Sequence, residues 1–285
     1  MVFAGVQRGG TLQSMAAPPA VTPVRGPSNL ERVGLSMETS GMGRTGRWGP
    51  PPTESPLPNP TITYSESSTR PSQLSGADLY RLDCQACHQA DGNGAPPEIN
   101  ALIGPVQATS AAVMTARMEK IGRPITPAFA LQLATESKKA LLDRLKHGGQ
   151  KMPSFGHLTD NEVQALVAYL ELLSGVPGAE KRQLVVTEPV ARIGELLVKG
   201  TCHTCHAATG RWPDPEELLQ GAVPPLGSFS MERSAYQVIR KVRYGAPVVM
   251  GRASVTYRGR MPVFDYLKDD EVSAAYLYLL IYPPQ

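Results

Sequence analysis

The sequence predicts a mainly α-helical chain: two tandem domains, each wrapped around one cofactor, behind a long irregular N-terminal arm. Three observations lead there. The pattern Cys-x-x-Cys-His occurs twice, as "CQACH" at Cys84–His88 and "CHTCH" at Cys202–His206, and takes up all four cysteines. A later segment, "KMPSFGHLTDNEVQALVAYLELL", returns as "RMPVFDYLKDDEVSAAYLYLLIY", with Met152 and Met261 in matching places 109 residues apart. An internal repeat of this kind means two copies of one structural unit. Finally, residues 1–73 hold eleven prolines and nine glycines and show no apolar period.

The arm comes first along the chain. "GRWGPPPTESPLPNPTITYSESSTRPSQ" reads as extended chain with polyproline character. It has too little apolar surface to offset the entropy of ordering itself, so alone it is predicted to be disordered. The scattered Trp48, Leu57, Ile62 and Tyr64 can serve as anchors for docking along a partner protein; a slack tether is the simpler alternative. The opening residues lack the apolar stretch of a secretory signal.

For the whole chain, 285 residues suffice for two ordinary domains, and 41% apolar content allows a core. The net charge of +3 comes without any block of like charges, so no nucleic-acid footprint is written here. No run of about 18 apolar residues predicts a membrane-spanning helix.

Three chemistries use a Cys-x-x-Cys pair. A thioredoxin-like redox pair needs a βαβ setting and leaves the following histidine without a role. A shared four-cysteine zinc site places its pairs about 15–20 residues apart, whereas here more than a hundred intervene. Covalent haem attachment uses every residue: two thiols join the two vinyl groups, and the next residue on the same turn lies under the iron. Cys84 and Cys87 then hold one haem above His88, and Cys202 and Cys205 hold another above His206. His203 only fills a spacer position, as Gln85 and Ala86 do in the first motif.

The flanking elements repeat as well. "SGADLYRLD" and "RIGELLVKG" read as helices entering the two motifs, with Gly76 and Gly194 both eight residues before the first cysteine and Leu79 and Leu197 five before it. "SKKALLDRLKHGG" reads as a helix ended by Gly148, and "SAYQVIRKVRYG" as one ended by Gly245. Thr159 with Glu162 makes a capping-box pattern, and Val163, Leu166, Val167 and Leu170 form an apolar stripe behind it. Asp269 or Asp270 caps the equivalent helix. No alternating pattern predicts strands. The domains are 74–175 and 191–285, joined by a linker over 176–190. The first copy carries nine extra residues between its haem motif and its methionine. Met114 and Met118 read as buried helix residues.

On these motifs, both halves resemble the class I cytochrome c family, over about residues 74–285. The family has a helix leading into Cys-x-x-Cys-His, a Met-Pro segment and a closing helix. The resemblance implies Met152 and Met261 as sixth iron ligands, with His147 and His157 as rivals in the first half, and two covalently attached haem c groups. It implies a proline carbonyl accepting from each proximal histidine, Pro97 and Pro225 lying nearest and Pro96 and Pro224 being the alternatives. Arg211, Arg252, Arg258 and Arg260 are candidates to face a propionate. The activity implied is single-electron relay between redox protein partners, in a respiratory or photosynthetic membrane-bound complex, without catalysis. The alternatives are a dihaem peroxidase or thiosulfate dehydrogenase, or the electron-accepting subunit of a dehydrogenase. The family also implies the periplasm, although no export signal is evident and no nucleic acid or span of its own is expected.

Overall fold

Ser75 starts the first long helix. Its hydroxyl accepts from the Asp78 amide, and the Asp78 carboxylate accepts from the Ser75 amide, so two amides that a helix start leaves open are satisfied reciprocally. The computed structural model describes residues 69–245, 248–249, 256–257 and 261–281, all within the compact unit Pro60–Gln285. Trp48, Leu57, Ile62, Tyr64 and residues 1–68 of the arm lie outside the described residues, as do Arg252, Arg258 and Arg260.

The main elements run β1 (Pro71–Ser75), α1 (Gly76–Asp83), α2 (Ala111–Lys120), α3 (Pro127–His147), α4 (Asp160–Leu173), β2 (Val185–Pro189), α5 (Val190–Gly200), α6 (Ala235–Tyr244), β3 (Val248–Val249), β4 (Thr256–Tyr257) and α7 (Asp269–Ile281). Helix α3 begins ten residues before the start that its sequence pattern suggests. Thr126 caps it and Pro127 opens it, where a missing N–H costs nothing. Gly148 ends α3 at φ 74°, and Gly245 ends α6 at φ 61°, both in the left-handed region that glycine enters freely. The Thr159–Glu162 capping box forms at the start of α4. Asp269 and Asp270 lie inside the first turn of α7, and the Asp270 carboxylate accepts from the Glu271 amide. Met114 and Met118 are half-buried rather than buried on α2.

Two helix crossings organise the unit. Helix α1 packs on α4, and α5 packs on α7. A Cβ on Gly76 would overlap the Ala165 carbonyl oxygen, and one on Gly194 would overlap that of Ala274. The missing side chain is what lets the backbones approach. Tyr169 and Tyr278 flank the two contacts. The crossing is thus built from matching residues in both halves. Leu79, Leu166, Leu196, Leu197, Leu267 and Val272 are all buried in one continuous apolar cluster that runs through both.

Strands were not legible in the pattern, yet two short antiparallel pairs are present among the described residues. In β1–β2, Leu74 faces Val186, and both are buried. Only this pair points inward, so the five-residue strands carry no alternation to detect. Pro71 and Pro189 stand at the strand ends, where a missing donor is tolerated. Residues 71–73, read from sequence as arm, and 185–189, read as linker, therefore pair with each other.

The halves meet along α1 and α5. The Thr201 hydroxyl donates to the Leu82 carbonyl (2.6 Å), and Gly200 leaves room for Asp83. Two ion pairs cross in opposite directions. Arg81 of α1 pairs with Glu271 of α7, and Arg192 of α5 grips Glu162 of α4 with two hydrogen bonds of 2.9 and 2.7 Å. Glu162 and Glu271 are matching residues of the repeat, and each also accepts a backbone amide at its helix start. Among the described residues, no helix is long and apolar enough to cross a membrane.

Candidate haem sites

Each motif folds as one helical turn. The His88 amide donates to the Cys84 carbonyl and the His206 amide to the Cys202 carbonyl, both at 2.9 Å. This places cysteine i and histidine i+4 on one face. No disulfide joins any two of the four cysteines. Burial pushes the Cys84 thiol well above its ordinary range and the Cys202 thiol up to about 12, with the neighbouring Cys205 adding to the latter. A redox-active dithiol needs the opposite, a thiol pushed down toward neutrality. Among the described residues, no three His, Cys, Asp or Glu side chains converge as metal-ion ligands do. Cys84 and Cys202 lie against the apolar core, as attachment to an apolar group requires, whereas Cys205 is exposed.

That group has a space beside the second motif. A cavity of about 440 Å³ is walled by Cys202, Cys205, His206 and Met261, together with apolar side chains such as Leu197, Phe229 and Phe264. Its size falls in the range of cofactor sites. The His206 ring places Nδ1 2.7 Å from the Pro224 carbonyl. That contact assigns the proton to Nδ1 and leaves Nε2 with its lone pair toward the cavity. The acceptor is thus Pro224, one residue before the nearest candidate, Pro225. Burial holds His206 below its ordinary pKa despite that hydrogen bond, which keeps the imidazole neutral, as a ligand must be. These residues fit a covalently held haem: two thiols that would attach it, and an imidazole and a thioether that would ligate its iron.

In the first half, Cys84 is buried, Cys87 and His88 are half-buried, and Met152 is half-buried against the core. His88 Nδ1 is buried without a hydrogen-bond partner, and the carbonyl acting on it is that of Asn100, not Pro96 or Pro97. Met152 and His88 do not line the second cavity. The two Met-Pro segments nevertheless share one hydrogen-bond pattern. The Phe155 amide donates to Leu145 and the Phe264 amide to Val242, each at 2.8 Å; Leu158 then donates to Phe155, and Leu267 to Phe264. Each segment is thereby hung on the helix before it, α3 or α6.

The other histidines have other company. His147 is exposed with Nδ1 2.9 Å from Asp143. His203 donates from Nδ1 to the His206 carbonyl. His157 is nearly buried, with Nε2 3.6 Å from Asp83 Oδ1, too long for a full hydrogen bond. Arg211 pairs with Glu217 on the surface. Among the described residues, the cations on the cavity wall are Arg233, stacked over Trp212 at 5.3 Å, and Lys241. Neither was legible in sequence, since no spacing rule ties them to the motif.

Asp83, immediately before Cys84, was also missed. It is buried, and neither carboxylate oxygen has a hydrogen-bond partner. Burial pushes it up to about 6 from 3.8, with Glu162 adding to that, while His157 and Arg192 pull it back. A carboxyl raised in the folded state stabilises fully below its unfolded pKa, and the contribution is lost as pH rises through about 6. Two units correspond to about 3 kcal/mol. Asp83→Asn keeps the shape and cannot ionise. It is therefore expected to be more stable than the parent at about pH 8, by up to about 3 kcal/mol, with the gap closed by about pH 4. Denaturant midpoints at the two pH values check this, and an Asn form no more stable at the higher pH contradicts it.

Residues 71–170 match the family model described as "Cytochrome C oxidase, cbb3-type, subunit III". That stretch is a cytochrome c domain, and its chemistry is electron transfer by covalently held haem c. No curated protein and no solved structure matches the chain. The match spans the first motif and Met152, and ends before the second motif.

Proposed function

We propose that the chain is a dihaem c-type cytochrome, built from two tandem class I cytochrome c domains, that relays single electrons between redox protein partners. The observation that carries this reading is the second cavity, walled at once by Cys202, Cys205, His206 and Met261, in the half that the family model does not reach. The repeated glycine crossing and the repeated Met-Pro hydrogen bonds support the same fold for both halves. The alternatives of a peroxidase or a thiosulfate dehydrogenase need an open iron position, which a methionine in each half takes away.

Haem supplies the one-electron exchange, and histidine–methionine ligation raises its reduction potential over histidine alone. The chain's own residues do the rest. Cys202 and Cys205 hold the ring. Pro224 fixes the His206 ring and its tautomer and makes Nε2 a stronger donor. Met261, on the same cavity wall, would supply the second iron ligand and so leave no iron position for a substrate. The apolar wall excludes water. Cys84, Cys87, His88 and Met152 take the same roles in the first half. The exposure of His147 favours Met152 over it as the ligand there.

The matching family is described as a subunit of a cbb3-type oxidase, which supports a place beside a membrane-bound respiratory complex, on its periplasmic side. The arm is the proposed docking segment. The oxidised protein is expected to show the near-infrared band of methionine bound to ferric haem at an intensity for two irons. Met261→Ala removes half of it and Met152→Ala the other half. An unchanged band in either variant shows that another residue is the ligand.

A further inference from the structure

We propose that the first half binds an anionic phospholipid surface through the hairpin of α2 and α3, whose exposed leucines and lysines lie at the lipid headgroups. This needs the first domain alone, and neither the second haem nor the arm.

The extra length of α3 is the first observation. Helices α3 and α6 end alike: Gly148 and Gly245 stop them, and Leu145 and Val242 accept from Phe155 and Phe264. Counted back from that shared end, α3 has 21 residues and α6 ten. The additional turns of α3 reach about 16 Å further, and α2 packs against α3. The shorter α6 still walls the second cavity, so holding a haem does not require the extension.

The side that α3 exposes is the second observation. Leu131, Thr135, Lys138, Leu142 and Lys146 stand at i, i+4, i+7, i+11 and i+15, one stripe of a helix, and all five are exposed. Lys139 flanks the stripe. Ile121, where α2 ends, is 60% exposed, and Leu131 is 62% exposed. The helix buries a different side, through Ala130, Ala134 and Leu145. Nor does the stripe correspond to the side that faces a haem. On α6 that side is Val238, Lys241 and Val242, which match Leu141, Arg144 and Leu145.

Charge is the third observation. Residues 111–147 hold seven Lys and Arg against three Asp and Glu, in a chain that totals 28 against 25. The rest of the chain therefore has no cationic excess. Two of the three acids are engaged along the helix: Gln132 donates to Glu136, and Asp143 meets His147. Among the described residues, no ion pair takes up Lys138, Lys139 or Lys146.

An acidic protein would also attract this face. Protein interfaces, however, are poor in lysine and are anchored by tyrosine, tryptophan and arginine. Residues 111–147 contain no tyrosine or tryptophan, and the cations of the stripe are lysines. Lysines beside leucines suit headgroups: the leucines and the apolar lysine stems enter the boundary, and the ammonium groups stay at the phosphates.

Flotation of the full-length protein with vesicles tests this, using pure phosphatidylcholine and a mixture of phosphatidylcholine with phosphatidylglycerol. Binding is expected to the anionic vesicles and not to the neutral ones, and it weakens as salt rises. Lys138→Gln, Lys139→Gln and Lys146→Gln together are expected to weaken it about 100-fold. Lys181→Gln, Lys199→Gln and Lys268→Gln together remove the same charge outside the hairpin and are expected to leave it nearly unchanged. Ile121→Ser with Leu131→Ser keeps the charge and is expected to weaken binding at every salt concentration. Haem absorbance of the same fractions tests the cytochrome reading separately. Equal binding to both vesicles, an equal loss in the two lysine variants, or no binding at all overturns the proposal; the last result gives the face to a protein instead.

Discussion

Gly194→Val is expected to displace the helix that carries the second motif, and Gly76→Val to do the same in the first half. At both positions the new side chain meets a backbone carbonyl oxygen, of Ala274 or Ala165, not the end of a flexible side chain. A carbonyl inside a helix cannot turn away without breaking its own hydrogen bond. The cost is therefore at the upper end of overpacking, at least about 3 kcal/mol. Gly104 supplies the control: a Cβ there meets nothing within 4 Å, so Gly104→Ala changes stability by no more than about 1 kcal/mol. Denaturant unfolding of the three variants compares them. Equal midpoints for Gly194→Val and Gly104→Ala would remove the crossing from the account of the fold.

Arg192→Leu is expected to cost a similar amount for a different reason. The Glu162 side chain is fully buried, and Arg192 gives it two hydrogen bonds. Burial raises the Glu162 pKa, but Arg192 and the Thr159 amide outweigh that and hold it below its ordinary value. Removing the arginine alone leaves a buried carboxylate without its counter-charge, at about 3–5 kcal/mol. Removing both, as Glu162→Leu with Arg192→Leu, takes the charge away too and is expected to recover most of that loss. A cost of about 1 kcal/mol remains, because Glu162 also caps α4. The linkage has a definite sign. A carboxylate depressed in the folded state stabilises above its unfolded pKa and loses that contribution as pH falls through the folded value. The parent therefore loses stability toward acid faster than the double variant. A double variant as unstable as Arg192→Leu would mean that Arg192 acts through its other hydrogen bonds, to the His157 carbonyl and the Glu195 carboxylate, not through Glu162.

These cases also show where sequence reading stops. The motif turns, the Thr159–Glu162 cap, the glycine stops at Gly148 and Gly245, and the pairing of Gly76 with Gly194 were all legible, because each depends on residues close in sequence or on the repeat. The β1–β2 pair was not, since only Leu74 and Val186 face inward. The crossed ion pairs were not, since Arg81 and Glu271 are 190 residues apart and no spacing rule links them. Nor could the motif alone choose between Pro224 and Pro225, because neighbouring carbonyls differ only in direction. Asp83 read as one more helix-end carboxylate; its isolation becomes visible only when α5 packs over it.

The central claim is that each Cys-x-x-Cys-His turn holds its own haem. Intact mass of the mature full-length protein, after acid–acetone extraction, measures it most directly. The account predicts two haem additions that survive extraction. Cys87→Ser with Cys84→Ser, and separately Cys205→Ser with Cys202→Ser, should each leave one. A parent protein carrying a single haem, or haem that extraction removes, would contradict it.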